Sequence, residues 1–510
     1  MSDKHIDKDK QILHSMGYAQ ELSRRMSAFS NFAISFSIIC ILAGGITAFG
    51  AGFSAGGGAS IGIGWLVGGA FAMVVALCMG QIASAYPTAG GLYHWSSILG
   101  GRAWGWITAW FNVLGLIFVT SSVDVGVYNL FKDLVLDGVF HMDVTGFGIW
   151  HLVVGTALIL ITTALFNHLG IKVTTMLTDF SGYFILVVAI VLTLSLLIYA
   201  PAPLDLSRLF TFTNFTGEIG GNVWPAASSG LVAFLLGLIL VCYTITGYDA
   251  SAHTSEETVD AAVSVPKGMW QSVLISVVSG YIMVCTFVLA MPSVPEGAAQ
   301  GYGAFLYMMK ASRMPGVLRD LLFIGIVIAN YLCGLACLTS ASRMTYAFAR
   351  DGGLPFSKQL AEVHPKYRTP VTAIWVSAGF AFLSTLYAPA FLILAAGCAV
   401  FLYISYVMPT AAGLLAEGKT WTQKGPFNLG RWSKPAAVVA VIGGLILAWT
   451  GFQPPNEKVL YLLIGMLIVM AIFWYAVENK RFQGPPTGDR IKQRQKSIAE
   501  IEARIERGGD

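Results

Sequence analysis

Between residues 28 and 477 the chain alternates long apolar runs with short polar segments. The runs lie at 28–54, 61–85, 103–130, 149–166, 176–200, 228–250, 269–291, 319–342, 371–386, 391–413, 435–452 and 459–477. A helix needs roughly 20 apolar residues to cross the hydrocarbon core of a bilayer, and these runs are of that order. Polar and apolar residues do not alternate within them, which excludes a transmembrane β-barrel. Hydrocarbon offers no partner to backbone N–H and C=O groups, so each run must satisfy its own as a helix. The pattern predicts an all-α polytopic membrane protein with twelve spans, a polar N-tail over 1–27 and a polar C-tail over 478–510. The first run is long enough to span and follows a polar tail, so a cleavable leader is not expected.

Charge strengthens this reading. Charged residues are 11% of the chain, against roughly 25% in soluble domains. Residues 1–27 hold 9 of them and residues 479–510 hold 13, leaving 36 for the 451 residues between. So sparse a charge cannot cover a water-facing surface. Lysine and arginine set orientation. With the N-tail inside, inner segments carry 25 of these 31 residues and outer loops carry 6, which predicts that both termini are cytoplasmic in the cell membrane. The seven cysteines all fall in apolar runs, so packing is expected and disulfides are not. Cys333 and Cys337 are one turn apart with no histidine pair nearby, which argues against a metal site. No phosphate-binding G-x-x-x-x-G-K-[ST] loop occurs, which argues against ATP-driven transport. The histidines are scattered, so an integral membrane enzyme is not expected. Ile491, Ile498, Ile501 and Ile505, set among charges, predict a short amphipathic helix in the C-tail.

Spans one and six are unusual in the same way. The first contains Ile41-Leu42-Ala43-Gly44-Gly45-Ile46-Thr47, and the sixth contains Tyr243-Thr244-Ile245-Thr246-Gly247-Tyr248-Asp249. Each is interrupted by glycine beside hydroxyl residues, and they occupy matching positions if the first ten spans form two five-helix halves. Glycine-interrupted helices at matching positions point to the central site of a secondary transporter. The competing reading is close helix packing on small residues. On the first reading, repeats cover 28–200 and 228–413. They are joined by an outer loop at 201–227 and followed by an inner loop at 414–434 and helices eleven and twelve at 435–477.

Four short stretches add specificity. Tyr86-Pro87-Thr88-Ala89-Gly90-Gly91-Leu92-Tyr93 follows span two, and Asn167-His168-Leu169-Gly170-Ile171-Lys172 precedes span five. Gly247-Tyr248-Asp249 leads to His253, Ser255-Glu256-Glu257 and Pro266. Ser342-Arg343-Met344-Thr345-Tyr346-Ala347-Phe348-Ala349-Arg350-Asp351-Gly352-Gly353-Leu354-Pro355 follows span eight. In this order the chain resembles amino acid–polyamine–organocation permeases. The span-six exit and Phe36-Ser37-Ile38-Ile39 are similar to the amino acid/choline branch, which includes 4-aminobutyrate permeases. The resemblance implies a leucine-transporter-like fold, a five-plus-five inverted repeat with two further C-terminal helices. Pro87 with Gly90-Gly91 suits a sharp turn at the inner face, and Tyr93 and Trp95 suit interface anchoring. Arg343 and Arg350, with Glu256, Glu257 and Asp351, are expected to form inner ion pairs that open with a gate.

The resemblance also implies the site. Gly44 and Gly45, flanked by Ala43, Ile46 and Thr47, would receive a carboxylate, because half-helix N-termini favour negative charge. Carbonyls around Ile41, Tyr243 and Ile245 would hold an amine, with Thr244, Thr246 and Gly247 alongside and Tyr243 as an aromatic lid. Asp249 is the singled-out carboxylate. Asn112 and Asn330 are candidate cavity-lining amides, whereas Asp124 and Asp179 suit structural or interfacial roles. Some proton-coupled relatives have a lysine where this chain has Ile185. Thr339 and Ser340 resemble a sodium-site arrangement, although such hydroxyls also bond back to their own helix. The coupling ion stays open between H⁺ and Na⁺, and no other cofactor is expected. The implied function is secondary transport of an amino acid, 4-aminobutyrate-like, in a monomer or homodimer that contacts lipid and no nucleic acid. Choline, ethanolamine or polyamine transport is one alternative, and a channel is another.

Overall fold

A computed structural model describes residues 3–387 and 391–507. Among them ten helices are long and apolar enough to cross a membrane, and the runs expected as spans six and nine form the shorter apolar helices Gly230–Thr244 and Val371–Tyr387. The protein is therefore an all-helical, multi-span membrane protein. Spans one, three and ten form its interior, each with 89% of its most apolar window buried, whereas spans four and twelve bury only 22% and 11%. Their outward faces carry Leu158, Ile161 and Leu165, and Ile464, Leu467 and Ile468. Apolar surface on that scale belongs against lipid.

Span one is broken, but not at its glycine pair. The helix Ala28–Ile39 stops at Cys40 (φ −10°, ψ 96°), and a second helix, Ile41–Thr47, carries Gly44 and Gly45 inside it. Packing explains the difference. A Cβ on Gly44 would lie 2.7 Å from the Cα of Thr244, so this glycine brings span six against span one. A third helix, Phe49–Gly62, completes the span and is kinked at Gly56-Gly57.

Span six is broken at the expected place. The helix Ile239–Thr244 ends before an irregular stretch through Gly247 (φ 88°), and a single turn, Ala250–His253, follows. A side chain at 247 would be strained, and its Cβ would meet Ile38 at 2.0 Å. The first half of span one is laced to this exit turn. Ser35 and Ser251 hydroxyls are 2.7 Å apart, and Asn31 Nδ2 donates to the Ser251 carbonyl at 2.9 Å.

The amphipathic C-tail helix exists as Asp489–Arg507. It docks beside an N-tail helix, Asp3–Ser15, through His14–Glu502 (2.8 Å) and a Gln495 bond to the His14 carbonyl (3.1 Å). Both tails therefore lie on one face of the bundle, called the tail face below.

Candidate substrate site and gate

Asp249 lies two residues past Gly247 and is fully buried. Its Oδ1 accepts from the Tyr406 hydroxyl (2.8 Å). Its Oδ2 accepts from Asn112 Nδ2 (3.0 Å) and lies 3.1 Å from His253 Nε2. The Tyr406 hydroxyl also accepts the N–H of Gly247 (3.0 Å), and Tyr403 donates to the Ile245 carbonyl (2.8 Å). Span ten thus holds the irregular stretch of span six with two tyrosines. On span eight, Asn330 Nδ2 donates to the Leu42 carbonyl (3.2 Å), and Cys333 reaches the Ile38 carbonyl (3.3 Å).

Away from the tail face, Tyr243 bonds Ser122 through its hydroxyl (3.0 Å) and meets Phe391 edge-on at 5.6 Å. Beyond them opens a cavity of about 320 Å³ lined by Ile46, Thr47, Asn129, Lys132, Tyr302 and Phe391.

Toward the tail face the way is shut. Arg343 bonds both oxygens of Glu257 at 3.2 Å, and Arg350 bonds both of Glu256 at 2.9 Å. Burial pushes the Glu256 carboxyl up, but Arg350 and the N–H of Ala89 outweigh it and hold it below its ordinary value. At Glu257 burial wins over Arg343, and the carboxyl sits above its ordinary value. Asp351 pairs with neither arginine. It accepts from the Tyr18 and Tyr93 hydroxyls and from Arg494 of the C-tail helix (2.7, 3.1 and 2.9 Å). Tyr93, which bonds Asp351, and Trp95 are both buried instead of anchoring in an interface. Trp95 donates to the Tyr86 carbonyl (2.8 Å), which ties down the turn at Pro87.

Comparison with known proteins agrees with this architecture. The profile of the family described as amino acid permease matches residues 26–474. The chain belongs to the amino acid permease family. It is 35% identical to the amino-acid permease BAT1 of Arabidopsis thaliana over 94% of this chain and 96% of that one. It is also 35% identical to the BAT1 homolog of rice, Oryza sativa subsp. japonica, over 93% and 95%. The GABA-specific permease of Saccharomyces cerevisiae is 27% identical over 94% and 86%. The protein is a transporter of this family and not an enzyme.

The permease brings together Asn112 and Asp249, and it sets Gly44 against Thr244. The hydroxyls of Thr47, Thr244 and Thr246 bond back to carbonyls of Ala43, Leu240 and Tyr243. Thr339 bonds Asn167 Oδ1 at 2.8 Å and its own helix, while the Ser340 hydroxyl is buried and unpartnered. The span-eight groups that meet span-one carbonyls among the described residues are Asn330 and Cys333. Asp179, half-buried, takes the Ser30 hydroxyl (3.0 Å). Asp124 is fully buried, and neither carboxylate oxygen has a hydrogen-bond partner among the described residues. Sequence reasoning passed over Tyr403, Tyr406 and Arg494. A tyrosine in an apolar run gives no sign of what its hydroxyl meets. His253, four residues after Asp249, had a readable signal, because that spacing stacks two side chains on one helix face.

Proposed function

We propose that this permease imports an amino acid, with 4-aminobutyrate-like molecules favoured, by alternating access across the cell membrane. Twelve spans, an inverted repeat over 28–200 and 228–413 and a cytoplasmic tail face complete the reading. The carrying observation is the meeting of two broken spans at Gly44 and Thr244, below an open cavity and above a closed set of ion pairs. A zwitterion suits such a site because broken helices supply both signs of partial charge without a free buried side-chain charge. Its carboxylate would lie by the helix Ile41–Thr47. Its ammonium would take over the Leu42 and Ile245 carbonyls that Asn330 and Tyr403 now occupy. Tyr243 and Phe391 would close over it from the cavity side. The GABA specificity of the yeast relative's name supports 4-aminobutyrate as the first substrate to try.

Thermal-shift screening of the purified protein tests the substrate class, because a ligand that binds only the folded state raises its stability. Amino acids, 4-aminobutyrate among them, should raise the melting temperature. Stabilisation by choline, ethanolamine or polyamines with none from any amino acid would replace the assignment with an organocation carrier.

A further inference from the structure

We propose that the His253–Asp249 pair is the site that carries the proton coupled to transport, and that the tail-face gate controls its release. The inference rests on the transport reading above.

The argument begins with hydrogen-bond accounting. His253 is fully buried. Its Nε2 is 3.1 Å from Asp249 Oδ2, and its Nδ1 is 3.2 Å from the carbonyl oxygen of Ala89. Both facing atoms are acceptors. A neutral imidazole has one N–H, so beside an ionised Asp249 it would set one bare nitrogen against an acceptor's lone pairs. In a dry interior such a mismatch is unfavourable, because neither acceptor finds water instead. The pair is satisfied only when it holds two protons: as imidazolium against carboxylate, or as an Nδ1–H imidazole against a carboxylic acid. Its net charge is then zero, which suits membrane depth.

Position supplies the second half of the argument. A continuous chain of hydrogen bonds links the break in span six to the gate. The Gly247 N–H donates to Tyr406, Tyr406 donates to Asp249, and Asp249 meets His253, which meets the Ala89 carbonyl. The Ala89 N–H then donates to Glu256 (3.0 Å), which is bound by Arg350. Gly91 (φ 45°) lets this loop lie on the imidazole, and a Cβ there would be 3.3 Å from its Cε1. The other groups around the pair are Asn112 from span three, Cys398 and Tyr406 from span ten, and Tyr248 and Glu256 on its own segment. Among the described residues His253 is the basic side chain that meets Asp249, while Arg343 and Arg350 are committed to Glu257 and Glu256.

Opening of the gate withdraws Ala89 from His253 and admits water. The Nδ1–H bond then breaks, its electron pair stays on the ring nitrogen, and the proton passes to water on the tail side. An Nε2–H bond to ionised Asp249 remains. Each cycle thus moves one proton with the substrate.

The test uses the full chain in liposomes, with a pH-sensitive dye in the lumen and radiolabelled 4-aminobutyrate or a mixture of the standard amino acids as probes. In the wild type, inward substrate flux should acidify the lumen, and an inwardly directed proton gradient should drive accumulation. In His253→Gln, the counterflow exchange that remains should carry neither the dye signal nor gradient-driven accumulation. Three results overturn the proposal: wild-type exchange without a dye signal, a dye signal retained in H253Q, or a signal lost in D124N and kept in H253Q. If no probe is exchanged, the transport reading fails instead. Nitrogen-15 spectra of the histidines then judge the pair without substrate: a protonated Nδ1 at neutral pH supports it, and a bare Nδ1 overturns it.

Discussion

Arg343 and Glu257 lie 86 residues apart and meet as a doubly bonded ion pair, Nε to Oε2 and Nη2 to Oε1 both at 3.2 Å, with neither side chain exposed. Removing one partner of such a pair leaves a buried charge alone, at a cost of about 3–5 kcal/mol. Glu257→Gln and Arg343→Gln should each lower the melting temperature and impair counterflow. The swapped double variant, R343E with E257R, should recover part of both. Normal transport in both single variants would remove this pair from the gate.

Gly247 and Gly44 differ in a testable way from Gly45. Gly247→Ala meets left-handed strain of about 1–2 kcal/mol and a clash with Ile38, and Gly44→Ala meets the backbone of Thr244. At Gly45 a Cβ would touch the flexible end of Met283 at 3.0 Å. Melting temperature and counterflow should therefore fall for G247A and G44A and stay near wild type for G45A. Equal behaviour of G44A and G45A would show that the Gly44–Thr244 contact does not matter.

The C-tail helix meets the tail-face cluster through a weaker bond. The Arg494–Asp351 pair is partly solvated on the arginine side, 38% exposed, so its loss should cost no more than about 1 kcal/mol. Arg494→Glu should speed hydrogen exchange across Asp489–Arg507 and raise exchange transport modestly. Unchanged protection of that helix would mean that the other tail contacts suffice.

His94 gives the fold a pH dependence of definite sign. Burial lowers its pKa from 6.5 to about 4, so the folded state binds fewer protons than the unfolded state between those values. Stability should fall as the pH drops from 6.5 toward 4 and be unaffected by this group above that window. His94→Gln should flatten the fall of melting temperature over that range. A wild-type slope retained in the variant would place the sensitivity elsewhere.

Much of this was legible in the sequence because hydrocarbon leaves a chain few choices: apolar length fixed the spans, and the glycine in span six marked its break. The arginines and acids after spans eight and six were readable as ion-pair partners, though Asp351 pairs with neither arginine of that stretch. Asp351 faces Arg494, 143 residues away, and only the fold brings the C-tail there. Span one misled for a physical reason. Glycine has poor helix propensity in isolation, yet Gly44 stays helical because its missing side chain admits span six, and the break moves to Cys40. Tyr403 and Tyr406 read as ordinary core aromatics, since only geometry shows what a hydroxyl meets.

Counterflow in liposomes tests the central claim most directly. Vesicles containing the purified protein are preloaded with unlabelled 4-aminobutyrate or mixed amino acids, and uptake of trace label is followed. Alternating access predicts that internal substrate accelerates entry of external label, with a transient overshoot, because one site serves both sides in turn. Label entry that is indifferent to preloading, or slowed by it, would contradict the account and favour a channel.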